Sequence, residues 1–205
     1  MQARPARISP EEYLSWEQRN EYKSEYVDGE IYAMSGANRR HNVLCTNMLY
    51  HAANAAKARA GCQAFGPDMM VRIADGRCFY YPDLSVCCDP EDTHDTYLVR
   101  PCFLVEVLSP STARIDRREK RTHYLTLDSL REYAMIDQDR MRIELYRRES
   151  RDWSGYLLDQ PHDVMESSCL GLRLTLAQVY ADIDFPSPGV REQVAEYDVI
   201  GPAYI

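Results

Sequence analysis

The stretch "FLVEVLSPST", residues 103–112, places one glutamate inside an apolar run that reads as a buried β-strand. An ionised carboxylate is costly to bury unless a partner compensates its charge. Glu106 therefore either reaches solvent or an arginine, or it lines a site that holds a cation. The other charged residues of the chain bear on which of these alternatives holds.

A second carboxylate lies in another strand-like segment, "YYPDLSVCCD". Asp83 follows Pro82 there and lies 23 residues before Glu106. Two carboxylates on adjacent strands can converge when the register of the strands allows it. They repel each other unless a divalent cation lies between them, and oxygen ligands of this kind suit Mg²⁺ or Mn²⁺. We therefore expect Asp83 and Glu106 to share a Mg²⁺ ion, with Mn²⁺ as an alternative.

A basic segment after the Glu106 strand, "RIDRREKR" at residues 114–121, contains Lys120. The segment carries five basic and two acidic residues in a chain whose net charge is −8. A lysine offers a compact, titratable ammonium that can orient a water or stabilise developing phosphate charge. The alternatives are a chance placement of the lysine and a solvated helix face for the whole run.

Local patterns predict a mixed domain in which helices flank a sheet. These patterns are a capping box at residues 9–12, a turn at residues 28–29, a helix over 41–60, a strand–turn–strand unit over 62–89, a helix after residue 112 and a hairpin over 132–150. This order predicts an α/β (mixed α+β) fold. We expect one domain over residues 1–185 and an irregular C-terminal arm over residues 186–205.

Composition bounds the class of protein. The chain has 205 residues, of which 45% are hydrophobic, and it lacks both an apolar run of the ~18–20 residues that span a bilayer and the apolar core of a signal peptide. We therefore expect a cytoplasmic protein that does not enter a membrane. Its seven cysteines include no CxxC pair, which argues against a structural zinc site and favours reduced core thiols.

Four segments together resemble the Uma-two family of restriction endonuclease-like proteins, within the PD-(D/E)xK nuclease superfamily. They are "SEYVDGEIYAMSGANRRHN", "YYPDLSVCCDP", "FLVEVLSPSTARIDRREKRTHYL" and "LREYAMIDQDRMRIELYRR". The resemblance covers roughly residues 8–185, and the pairing of the Pro-Asp strand with the Glu-Val-Leu-Ser-Pro-Ser strand is its most specific part. It implies a restriction-endonuclease-like central mixed sheet flanked by helices.

The resemblance also implies roles for individual residues. Asp83 and Glu106 would be metal ligands, with the Val107 carbonyl as a third, and Lys120 would serve as the superfamily lysine. Glu25 would match the acidic residue on or near the first helix, although pairing with a nearby lysine or arginine is an alternative.

One departure from the superfamily pattern concerns the lysine. The pattern places a lysine two residues after the glutamate, and Leu108 occupies that position here. Lys120, in the following helix, would have to reach the carboxylates instead.

These inferences predict a Mg²⁺-dependent endonuclease that hydrolyses DNA phosphodiester bonds with Asp83, Glu106, Lys120 and Glu25. Candidate nucleic-acid contacts, chosen by charge and position, are Arg39, Arg40, His41, Arg117, Arg118 and Arg121. By analogy with restriction enzymes we expect a homodimer. The alternatives are a catalytically inactive nuclease-fold module for nucleic-acid binding or assembly, which the acidic net charge favours, and a hydrolase of small phosphorylated substrates.

Overall fold

The computed structural model describes residues 7–34, 36–109 and 116–185, with the backbone alone described at residues 116 and 117. The predicted C-terminal arm, residues 186–205, lies outside the described residues. No helix in these three ranges is long and apolar enough to cross a membrane.

Helices and strands alternate irregularly along the chain. The helices are α1 (Pro10–Glu17), α2 (Arg39–Lys57), α3 (Arg121–Tyr124) and α4 (Leu176–Val179), and a π-helical turn (Asp116–Lys120) leads directly into α3. The strands are β1 (Ser24–Val27), β2 (Glu30–Ala33), β3 (Gln63–Phe65), β4 (Met70–Ile73), β5 (Cys78–Tyr80), β6 (Leu84–Cys87), β7 (Tyr97–Leu98), β8 (Phe103–Leu108), β9 (Glu132–Asp137), β10 (Ile143–Glu149), β11 (Asp152–Leu158), β12 (Val164–Ser167) and β13 (Leu172–Thr175).

The central sheet is mixed and has six strands in the order β11-β10-β9-β8-β6-β3. Strands β8 and β9 are parallel, whereas β6 and β8 are antiparallel. The β6–β8 register pairs Leu84 with Val105, so that Asp83 and Glu106 fall opposite each other one step further along. The expectation that the two acidic segments are neighbouring strands is confirmed.

The two faces of the central sheet are covered by different elements. Helix α2 packs Leu44 and Met48 on one face. The other face packs against a second, five-stranded sheet, ordered β2-β1-β5-β4-β7, which contributes Val71 and Tyr80 to the shared core. Because β8 is buried on both faces, all six of its residues are buried. This position explains why its sequence is apolar except at Glu106.

The helix predicted after residue 112 is described only from Asp116, as the π-helical turn followed by α3, and its start at residues 113–115 lies outside the described residues. The other predicted elements are present, with differences at their boundaries. Helix α1 has the expected capping box, and helix α2 begins at Arg39 because the Asn38 side chain caps it. The strand–turn–strand unit predicted over residues 62–89 forms four strands. Gly66-Pro67 and Pro82 interrupt this segment, since proline cannot donate to a strand ladder.

The prediction of reduced core thiols is wrong for four of the seven cysteines. Cys62 is bonded to Cys88 and Cys102 to Cys169, across sequence separations of 26 and 67 residues. The β3–β6 register, which pairs Gln63 with Cys87, places Cys62 opposite Cys88. Sheet register therefore brings the Cys62 and Cys88 sulfurs together. A rule based on cysteines that are close in sequence, such as CxxC, does not detect this pairing.

Candidate active site

Glu106 is 4% exposed at the centre of β8, so its carboxylate needs partners inside the protein. Lys120 Nζ lies 3.4 Å from Glu106 Oε1, and the Tyr124 hydroxyl donates a hydrogen bond of 2.9 Å to the same oxygen. Lys120 therefore supplies a positive charge that compensates the glutamate within an apolar strand.

Lys120 joins the two sheets. Lys120 is only 6% exposed. Its ammonium lies 2.7 Å from Glu25 Oε1 on β1, and it also contacts Glu106 on β8. The ammonium also lies 5.5 Å from the centre of the Tyr80 ring, within the range of a cation–π contact. Lys120 ends the five-residue π-helical turn, a local structure that is frequent at functional sites.

Glu25 is held in place by the backbone as well as by Lys120. Its Oε1 atom accepts a hydrogen bond of 3.2 Å from the Tyr81 N–H. Lys23, a nearby lysine considered as an alternative partner, forms an ion pair with Asp68. Glu25 and Glu106, predicted from distant parts of the sequence, thus contact the same ammonium.

Asp83 is fixed against the strand that carries Glu106. The Val107 N–H donates a hydrogen bond of 2.7 Å to Asp83 Oδ2, and His41 Nε2 lies 3.4 Å from the same oxygen. Cys45, one turn further along α2, has its Sγ atom 3.4 Å from His41 Nδ1. His41, Cys45 and Asp83 place ligand atoms within 4.8 Å of one another. His41 therefore faces the Asp83 carboxylate.

The pKa values of two neighbouring groups are raised by burial and by the charges of these carboxylates. Burial and the charge of Glu106 raise the pKa of Tyr124 well above its usual value, so this hydroxyl remains a protonated donor. Burial, followed by the charge of Asp83, raises the pKa of the Cys45 thiol. Asp83, Glu25 and Glu106 bring three carboxylates to this region, and two of them, Glu25 and Glu106, contact the Lys120 ammonium.

The basic residues at the start of α2 differ in their surroundings. Arg39 is exposed at the first position of the helix, whereas Arg40 forms an ion pair of 3.1 Å with Asp139. Arg39 therefore presents its charge to solvent, and Arg40 shares its charge with a carboxylate of the β9–β10 turn.

The basic residues around Lys120 also differ in their surroundings. Arg118 is exposed, and the side chain of Arg117 lies outside what the structure describes. Arg121 donates a hydrogen bond of 2.8 Å to the Tyr146 hydroxyl, and its guanidinium lies 5.2 Å from the centre of the same ring. Arg121 is thus packed against the protein, while Arg118 faces solvent.

The Tyr124 hydroxyl and the Tyr81 N–H contribute to the site but were not predicted from the sequence. Tyr124 follows Lys120 by four residues, a spacing that places side chains on the same face of a helix. The same spacing relates His41 to Cys45 on α2. This periodicity was a usable signal for Tyr124, whereas the donation from the Tyr81 backbone to Glu25 depends on the pairing of β1 with β5, two strands that are far apart in the sequence.

The mixed central sheet flanked by helices is a fold of the restriction-endonuclease-like class. A crystal structure from Anabaena variabilis ATCC 29413, described as "a putative nuclease belonging to DUF820", has a TM-score of 0.71 to this chain at 20% identity, covering 84% of this chain and 97% of the other. The model of the Uma2 family, described as "Putative restriction endonuclease", matches residues 10–177. The chain therefore belongs to the Uma2 family.

Two relatives from Synechocystis sp. (strain ATCC 27184 / PCC 6803 / Kazusa) agree with this membership. The uncharacterized protein slr1290 is 35% identical over 181 residues, covering 87% of this chain and 94% of its own length. The uncharacterized protein sll1609 is 33% identical over 150 residues, covering 71% of this chain and 84% of its own length. The family resemblance and the fold class expected from the sequence are both confirmed.

Proposed function

We propose that this protein is a Mg²⁺-dependent endonuclease that hydrolyses DNA phosphodiester bonds. The observation that supports the proposal is the shared contact of Lys120 with Glu25 and Glu106, together with an Asp83 carboxylate that is hydrogen-bonded to the backbone of β8, the strand that carries Glu106. A structural ion pair would need one carboxylate, whereas here the Lys120 ammonium contacts two, Glu25 and Glu106.

The residues fit a hard divalent cation. Asp83, Glu106 and the Val107 carbonyl would hold Mg²⁺, since oxygen donors suit Mg²⁺, and Mn²⁺ would be accepted by the same set. When bound, the ion would polarise the phosphate and make a coordinated water more acidic. The Val107 N–H that donates to Asp83 holds this carboxylate close to the strand, which limits the movement needed for ligation.

The remaining side chains have separate roles in this proposal. Lys120 Nζ donates to the attacking water, and Glu25 positions the ammonium from the opposite side at 2.7 Å. The Tyr124 hydroxyl orients Glu106 by its hydrogen bond. Arg39 and Arg118, both exposed, contact the phosphate backbone of the DNA.

A homodimer forms part of the same proposal. Duplex DNA requires two strand scissions, and two copies related by a two-fold axis bring one site to each strand. Sedimentation or light scattering, with and without duplex DNA, measures this state independently of cleavage.

Cleavage of circular DNA tests the function directly. We expect the wild-type protein to nick or linearise plasmid with Mg²⁺ or Mn²⁺, to be inactive with a chelator, and to lose activity in Lys120→Ala. Lys57→Ala, which removes an exposed lysine at the end of α2, is the matched control and should cut like wild type. Equal cleavage by wild type and Lys120→Ala would refute the assignment. Activity confined to small phosphate esters would indicate a different substrate class.

A further inference from the structure

Four cysteine residues meet at the end of the central sheet where β8 begins. Cys62 immediately precedes β3, Cys88 immediately follows β6, Cys102 immediately precedes β8, and Cys169 lies in the turn between β12 and β13. The antiparallel β3–β6–β8 arrangement brings the first three to the same end of the sheet, and the β12–β13 hairpin brings the fourth. None of the four belongs to the site around Glu106.

Three of the four sulfur atoms lie close enough together for one metal ion. Cys88 Sγ lies 3.7 Å from Cys102 Sγ, and the ligand atoms of Cys88, Cys102 and Cys169 all lie within 4.8 Å of one another. Cys62 is bonded to Cys88 and thus adjoins the same group. In a tetrahedral site with Zn–S bonds of ~2.3 Å, two sulfurs are separated by about 3.8 Å. The Cys88–Cys102 separation therefore equals one edge of a zinc–thiolate tetrahedron.

The surroundings allow an ion to enter and offset the charge of thiolates. Cys88, Cys102 and Cys169 line a surface cavity together with Arg100 and Arg131. Four thiolates around Zn²⁺ leave a net charge of about −2. The Arg131 guanidinium offsets part of this charge, whereas Arg100 is paired with Asp89, which also lines the cavity, and with Glu91. Thiolates of an iron–sulfur cluster bind different iron atoms and lie further apart, so the compact group favours a single ion.

We propose that Cys62, Cys88, Cys102 and Cys169 form a tetrathiolate Zn²⁺ site when their two disulfides are reduced. A dithiol reductant supplies two electrons and two protons to each disulfide, so that two dithiols become two disulfides and the protein gains four thiols. Zn²⁺ then replaces the four thiol protons, which are released to solvent. The ion would tie the β12–β13 hairpin to the central sheet, as the Cys102–Cys169 bond does in the oxidised chain.

The experiment titrates Co²⁺, and then Zn²⁺, into the full chain after reduction with a dithiol and its removal without oxygen. All proteins carry Cys45→Ser, because His41, Cys45 and Asp83 form a separate group of ligand atoms. We expect about one Co²⁺ per chain, with the thiolate charge-transfer and visible bands of a tetrahedral site that Zn²⁺ abolishes. Cys169→Ser, in an inter-strand turn, should lower the Co²⁺ affinity at least about 10-fold.

Cys87→Ser is the matched control, because Cys87 adjoins Cys88 but belongs to the core on the other face of the sheet. This variant should bind Co²⁺ like the parent, and near-ultraviolet circular dichroism checks that each variant is folded. No thiolate band after reduction, equal affinity in folded Cys169→Ser, or an iron–sulfur spectrum in the purified protein would each overturn the zinc assignment.

Discussion

Replacing Asp83 by asparagine is expected to lower the rate of Mg²⁺-dependent DNA cleavage by at least about 100-fold. Asparagine has nearly the same size, and its side-chain oxygen can still accept the hydrogen bond from the Val107 N–H. The substitution therefore removes the negative charge that would hold the metal while it retains the local packing. Initial rates of plasmid nicking at saturating Mg²⁺ measure the effect.

Asp128→Asn is the control for this experiment, because Asp128 is an exposed aspartate outside the candidate active site. It should cleave at the wild-type rate. If Asp83→Asn also retained the wild-type rate at every Mg²⁺ concentration, Asp83 would not be a ligand and the metal would have to bind elsewhere.

Replacing Lys120 by methionine is expected to lower the free energy of unfolding by about 3–5 kcal/mol. The side chains of Lys120, Glu25 and Glu106 are 8%, 13% and 5% exposed, so removing the ammonium leaves two poorly hydrated carboxylates without it. Adding Glu106→Gln to Lys120→Met should recover part of the loss, because one of the two charges is removed. Urea unfolding of the two single variants and the double variant measures this coupling.

Lys57→Met is the matched control for stability, because it makes the same lysine-to-methionine change at an exposed position. Its change should stay within about 0.5 kcal/mol, as is usual for surface substitutions. A Lys120→Met variant as stable as Lys57→Met would mean that the carboxylates do not need the ammonium. Failure of Glu106→Gln to recover stability would mean that the loss comes from packing.

The sequence predicted the parts of the fold that depend on local chemistry. Ser9 and Glu12 signal the start of α1, and the apolar run around Glu106 signals a buried strand. The second sheet could not be predicted in the same way. Its strands are short, and which face of the central sheet they cover depends on long-range packing.

The candidate site was also predicted in part. Glu25, Glu106 and Lys120 were named as one group from the family resemblance, and the structure brings them into contact. The proximity of His41 to Asp83 depends on where α2 begins relative to β6, a tertiary relation that helical periodicity does not contain. Whether these residues ligate a metal and cleave DNA stays a prediction.

The positions of four cysteines also depend on long-range structure that local sequence spacing does not predict. Sequence spacing argued against a zinc site because no CxxC pair exists, yet sheet register gathers Cys62, Cys88, Cys102 and Cys169 from segments far apart in the chain. A short motif such as CxxC predicts metal ligands that lie within a single turn. These four residues instead come from the ends of three strands and from a hairpin.

The proposed nuclease activity depends on the binding of one divalent ion by Asp83 and Glu106, beside Lys120. Titration of Mn²⁺, followed by the electron paramagnetic resonance signal of the free ion, measures this binding. We predict about one Mn²⁺ per chain for wild type and Asp128→Asn, and a loss of this binding in the Asp83→Asn/Glu106→Gln double variant. Unchanged Mn²⁺ binding by the folded double variant, or no binding by wild type, would contradict the claim.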